Sequence, residues 1–220
     1  MTEQRRFPRT DLYGITASEY SLGRSNQEVV KQMLEASVKI VQYRDKEFTM
    51  LRKYRECLAI RELCTDYNAC FIVNDDVHLA LAVEADGVHI GQDDLPAEKV
   101  RGLIGEKMLL GLSTSTPQQA DQAVQSGVVD YLGVGLVYET STKKEASLPV
   151  GLEYLDYVVQ HCNLPVVAIG GIKENNVAEV VRHGVTCMAM ISEIVGAGDI
   201  GSKIRAIRAT MAKARANRES

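Results

Sequence analysis

Short runs of β-branched and other apolar residues alternate with longer segments of helical period along all 220 residues, and this alternation restricts the fold more than any single motif does. Strand-type runs stand at 12–16 (LYGIT), 38–43 (VKIVQY), 70–74 (CFIVN), 86–90 (DGVHI), 108–113 (MLLGLS), 130–135 (DYLGVG), 165–169 (PVVAI) and 187–191 (CMAMI). Between and after them, helical patterns with apolar residues spaced three and four apart cover 26–36, 49–66, 76–84, 96–104, 117–126, 151–161, 174–183 and 200–215. Leu95-Pro96 and Thr116-Pro117 supply start signals for the fourth and fifth helices. Strands that are almost wholly apolar and separated by helices imply a parallel sheet covered on its outer face. Eight such units close naturally into an α/β fold of the (β/α)8 TIM-barrel type, with residues 1–220 as one domain. A doubly wound open sheet is the alternative, because periodicity does not report closure.

Composition narrows the function classes. Hydrophobic residues at 45% and charged residues at 25% provide for a sizeable core in a water-soluble chain. The net charge is −4, and Lys and Arg are spread along the chain until the tail KARANRES, which reads as a solvated helix end; a nucleic-acid partner is not indicated. MTEQRRFPRT lacks the apolar core of a secretory signal, and no run approaches the roughly 20 apolar residues that span a bilayer, so a cytoplasmic protein without a membrane partner is expected. The five cysteines form no CxxC pair and read as reduced apolar fillers. Self-association is left open.

If the barrel is right, the carboxyl ends of the strands form the active face. Gln42, Arg44 and Lys46 follow the second strand, Asn74 and Asp75 the third, Gln92 and Asp94 the fourth, and Ser113 and Thr114 the fifth. The loop ETSTKKEAS follows the sixth strand, Gly170 and Gly171 the seventh, and Ser192 the eighth. Asp75 and Asp94 are hard oxygen ligands of the kind Mg2+ takes, one or two carboxylates with the remaining positions left to water and phosphate. Arg44, Lys46 and Lys143 oppose them as phosphate-binding cations, which together describes a diphosphate site. Asp76 and Asp93 are assigned as helix caps or surface groups. Glycines after the seventh strand and a Ser-bearing short helix after the eighth match the phosphate cradle that barrels build from their last two loops. His78, His89, His161 and His183 read as surface or packed residues.

The ordered set QYRDK (42–46), VNDDVHLAL (73–81), ADGVHIGQDDLP (85–96), GLSTST (111–116), DYLGVGLVYETSTKK (130–144), VAIGGI (167–172) and MISEI (190–194) resembles the thiamine phosphate synthase family. The resemblance implies condensation of a pyrimidine diphosphate with a thiazole phosphate, releasing diphosphate. It places Gln42, Arg44, Lys46, Asn74, Asp75, Asp94, Ser113 and Lys143 around the pyrimidine diphosphate, with Mg2+ on Asp75 and Asp94. It places Thr140, Thr142, Gly171, Ile191 and Ser192 around the thiazole phosphate. Family members often read GPVFPTxTK after the sixth strand, where this chain has Leu136 and Glu139 in place of both prolines. The run ETxxKK also resembles the related thiazole tautomerases, which carry a His acid/base where Leu136 stands and tend to lack the full diphosphate set. A non-catalytic thiamine phosphate sensor is the remaining alternative.

Overall fold

The computed structural model describes residues 6–140 and 148–219. Eight parallel strands form a closed barrel in sequential order: β1 (Leu12–Ile15), β2 (Ile40–Tyr43), β3 (Cys70–Asn74), β4 (Gly87–Ile90), β5 (Leu109–Thr114), β6 (Tyr131–Val134), β7 (Val166–Ile169) and β8 (Cys187–Ala189). Closure is made by β8 returning to β1, with Met188 opposite Leu12 and Ala189 opposite Tyr13, and it excludes the open sheet.

The outer layer is α1 (Asn26–Glu35), α2 (Met50–Asp66), α3 (Val77–Ala82), α4 (Ala97–Ile104), α5 (Pro117–Ser126), α6 (Gly151–His161), α7 (Val177–Arg182), a short α8 (Ile191–Val195) and a long α9 (Ile200–Glu219). Local chemistry sets several ends. Ser25 and Glu28 form a reciprocal capping box at α1, and Thr116 accepts from Gln119 N–H ahead of Pro117 at α5. Two helices are shorter than their periodicity predicts. α3 starts one residue late, after the Asp75–Asp76 turn, and stops at Ala82, ahead of Glu84 at φ 50°. Asn176 accepts from Lys173 N–H and donates to Gly171 O, so its side chain shapes the turn and α7 begins only at Val177. The strand expected to reach residue 191 stops at Ala189, because Met190 turns the chain into α8.

Side chains alternate across each strand. One set, including Leu12, Val41, Phe71, Val88, Leu110 and Leu132, packs against the helices. The other set, including Tyr13, Ile15, Ile40, Ile72, Leu109 and Tyr131, fills the barrel interior, where Phe7 lies with its ring centroid 4.7 Å from that of Tyr131. Among the described residues no helix is long and apolar enough to cross a membrane.

At the amino ends of the strands, aspartates are tied to arginines. Asp11 meets Arg208 at 2.8 Å, Asp86 meets Arg61 at 3.5 Å, and Asp130 meets Arg101 at 2.6 Å. Arg101 is buried and also donates to the carbonyls of Gly105, Met108 and Val128, while Asp130 accepts from Leu110 N–H. Removing the arginine would strand both the carboxylate and three carbonyls. Arg101→Met is therefore expected to lower unfolding free energy by about 3 kcal/mol, the scale of breaking a buried pair. Urea denaturation measures this.

Candidate active site at the carboxyl mouth of the barrel

The loop after β2 carries two cations, and the preceding strand holds it in place. Thr16 Oγ1 accepts from Arg44 N–H at 2.8 Å and donates to Arg44 O at 3.0 Å. Asp45, buried under the loop, accepts from Ser18 Oγ at 2.7 Å and from the N–H groups of Glu47 and Phe48 at 3.0 and 2.9 Å. The backbone around Arg44 and Lys46 is thus fixed by buried polar groups. Their own charged ends have no hydrogen-bond or ion-pair partner among the described residues, yet both act on Asp75, pulling its proton affinity down.

The acceptor-rich Asn74-Asp75-Asp76 segment divides its work. Asp76 stands at the amino end of α3 but makes no cap bond; its carboxylate pairs with Lys53 at 2.9 Å. Asp75 adopts φ 61°, in the left-handed region that Asn and Asp tolerate best. It is held there by its N–H bonding to His89 O and its carbonyl accepting from Val77 N–H, both 2.9 Å. This turn brings Asp75 within hydrogen-bonding reach of Asp94. Burial, then the facing Asp94 charge and that hydrogen bond, push the Asp75 carboxyl up to about 6. Asp94 in turn accepts from Gly91 N–H at 2.7 Å. Two carboxylates converging in this way suit a hard divalent cation, which relieves their mutual repulsion. Among the described residues no group of three or more His, Cys, Asp and Glu side chains converges as a metal-binding cluster, so the fit is to an ion that accepts few protein ligands.

Below the mouth lies a polar floor that joins the expected site residues Gln42 and Ser113 through Tyr13, Tyr131 and His89, which sequence reasoning left out of the site. His89 on β4 is buried, with Nε2 2.9 Å from Ser113 Oγ and Nδ1 3.1 Å from the Tyr131 hydroxyl. Burial lowers its pKa to about 4, so the ring is neutral near pH 7. Gln42 is also buried; its amide nitrogen donates to the Tyr13 hydroxyl at 3.0 Å, and Tyr13 lies 2.8 Å from Tyr131. The available signal was glycine: a Cβ at Gly111 would collide with the Tyr131 ring and His89 Nδ1, and one at Gly133 would lie 3.0 Å from His89 Cε1. Two inward glycines on adjacent strands mark where a large polar pair must fit. Gln92 reaches across to Ser113 O at 2.7 Å, and Asn74 ends β3 on the inward face.

The second corner is built by β7 and β8. Gly170 and Gly171 have φ 101° and 63°, and Ile191 and Ser192 open α8 beside them. The loop after β6 continues the pairing, with Val137 N–H bonding Ile169 O and Tyr138 N–H bonding Gly170 O, both 3.0 Å. A Cβ at Gly171 would meet Glu139 O at 2.5 Å and Tyr138 Cβ at 2.7 Å. This glycine therefore admits the loop that leads to Thr140. Thr142 and Lys143 lie outside the described residues. A cavity of about 530 Å³ lined by Asp11, Lys39 and Thr186 lies at the opposite end of the barrel and contributes nothing to this mouth.

A closed parallel barrel whose carboxyl mouth sets a carboxylate pair against two cations belongs to the class of barrel enzymes that handle phosphorylated substrates. The model of the thiamine monophosphate synthase family matches residues 12–194, and the chain belongs to that family. It is 59% identical over 203 residues to the thiamine-phosphate synthase of Pelotomaculum thermopropionicum, covering 92% of this chain and 93% of the relative. It is 50% identical over 198 residues to that of Lawsonia intracellularis, covering 90% and 91%. Among solved structures, the thiamine phosphate pyrophosphorylase of Pyrococcus furiosus superposes with a TM-score of 0.83 at 34% identity, covering 93% of this chain and 96% of that one.

The carboxylate pair predicts a pH signature. Because the Asp75 carboxyl holds its proton more tightly folded than unfolded, the folded chain binds extra proton between the ordinary value of 3.8 and about 6. In cation-free buffer this group's contribution to stability falls as pH rises through that window and is level above it. Asp94→Asn removes the facing charge and is expected to flatten that slope. Unfolding free energies of both proteins across the window provide the comparison.

Proposed function

We propose that the chain is a thiamine-phosphate synthase, a transferase that joins 4-amino-5-hydroxymethyl-2-methylpyrimidine diphosphate to 4-methyl-5-(2-phosphoethyl)thiazole, or its carboxylate form, and releases diphosphate. The observation that carries this reading is the Asp75–Asp94 pair with Arg44 and Lys46 acting on it across the mouth. Mg2+ between the two carboxylates would supply Lewis-acid neutralisation of the diphosphate. Arg44 and Lys46 bind the same group from the β2 loop, and the family resemblance assigns Lys143 to it as a third cation. Ser113 and Asn74 hold the pyrimidine diphosphate, above the floor formed by Gln42 and His89. Departure of diphosphate leaves an electron-rich pyrimidine methylene cation, which the thiazole nitrogen captures. Such a dissociative step needs charge stabilisation and orientation more than a strong base, which suits a mouth whose one buried histidine is neutral.

Thr140, Thr142, Gly171, Ile191 and Ser192 hold the thiazole phosphate. Backbone N–H groups near the two glycines do most of that binding, since Lys173 is the only Lys or Arg between Pro165 and Arg182. The barrel works as a single domain in the cytoplasm on these small molecules, without a nucleic-acid or membrane partner.

Incubating the protein with both substrates and Mg2+ is expected to yield thiamine phosphate and diphosphate, with product formation lost in excess EDTA. Arg44→Ala is expected to lower kcat/KM for the pyrimidine diphosphate by about a hundredfold, the scale of removing one preorganised charge-stabilising donor. Turnover that survives EDTA would overturn the metal role, and absence of product from the unmodified protein would overturn the synthase reading. Gly171→Ala is expected to displace the segment before Thr140 and raise KM for the thiazole phosphate more than for the thiazole alcohol. Parallel titrations of the two thiazoles measure that difference.

A further inference from the structure

Five side chains form one continuous hydrogen-bonded line through the barrel interior: Gln42, Tyr13, Tyr131, His89 and Ser113. The successive separations are 3.0, 2.8, 3.1 and 2.9 Å. Its direction follows from its first member. The Gln42 amide nitrogen can only donate, so the Tyr13 oxygen accepts there. Tyr13 is 2% exposed, and the acceptor in reach of its own proton is the Tyr131 oxygen. Tyr131 is 0% exposed, so its proton in turn requires His89 Nδ1. A ring nitrogen that accepts has no proton, so the His89 proton sits on Nε2 and is donated to Ser113 Oγ. The Ser113 proton then has no acceptor among the described residues, and Ser113 stands half-buried at the carboxyl end of β5. The opposite sense would finish with the Tyr13 proton facing the amide hydrogens of Gln42, leaving a buried donor against a donor, which buried polar groups avoid.

We infer that this line runs one way, fixes His89 as the Nε2–H tautomer and turns the Ser113 hydroxyl proton into the mouth as a donor to the departing diphosphate. Tyr131 and His89 are thereby positioning residues that act through Ser113. The kinetic part of the inference rests on the synthase reading; the tautomer does not.

Two measurements test it. In nitrogen-15 histidine spectra of the full chain between about pH 6 and 8, the histidine switch range, with His89 assigned by loss of its signals in His89→Asn, Nδ1 is expected at an unprotonated shift and Nε2 at a protonated one. A protonated Nδ1 would overturn the inference. In a double-mutant cycle, Tyr131→Phe is expected to lower kcat about tenfold in the native background, the scale of one hydrogen bond, with KM for the thiazole phosphate unchanged. In the Ser113→Ala background the same substitution is expected to cost less than about twofold, because the pathway is already cut. Equal losses in both backgrounds would assign Tyr131 a merely structural role and overturn it. Tyr13→Phe runs the same cycle should Tyr131→Phe fail to fold. If the native protein formed no thiamine phosphate at all, the synthase reading would fall while the spectra still decided the direction of the line.

Discussion

Parallel pairing of β8 with β1 is the constraint on which the molecule depends. It removes both sheet edges, so every second side chain of every strand is committed to one enclosed interior and the others to the helical layer. It also gathers all eight carboxyl ends at one rim. Asp75 and Asp94 lie about twenty residues apart in the chain, yet adjacency of β3 and β4 makes them neighbours close enough to perturb one another. The register that sets Asn74 beside His89 and His89 beside Gly111 stacks the polar floor under the same rim.

The two ends of the barrel treat charge in opposite ways. At the amino end, Asp11, Asp86 and Asp130 are each answered by an arginine, and the carboxylates of Asp86 and Asp130 also accept backbone N–H groups that start strands. These groups are satisfied and hold elements together. At the carboxyl end, Arg44 and Lys46 are held by their backbones, with no hydrogen bond or ion pair at their charged tips among the described residues, while two carboxylates face each other. Two facing carboxylates repel one another, and groups perturbed in this way are typical of functional sites and not of structural ion pairs.

The architecture was readable in sequence because eight apolar runs are regularly separated by helical periods, with proline and Thr116 marking helix starts. The strand-end rule also located Arg44, Lys46, Asp75, Asp94 and Ser113 at the mouth. What it missed depends on direction and depth. His89 in DGVHI looks like any strand residue until the pairing turns it inward, and the tyrosines of LYGI and YLGV carry no local mark of a polar role because their hydroxyl partners come from other strands. Asp45 resembles a surface charge in QYRDK, although it is buried and organises the loop that carries the cations. The short helix α7 likewise reflects the Asn176 turn, a side-chain-to-backbone preference that outweighs the local apolar period.

The close fit of Gly111 and Gly133 against His89 and Tyr131 has a consequence for how this interior can change over generations of sequence. Volume there is shared among positions on neighbouring strands, so a methyl group gained at Gly111 must be matched by atoms lost at the tyrosine or histidine. Single exchanges at these sites should each be selected against, while compensated pairs survive. A library that varies one position at a time would score the whole floor as immutable, and only simultaneous variation of β4, β5 and β6 would open a differently shaped pocket.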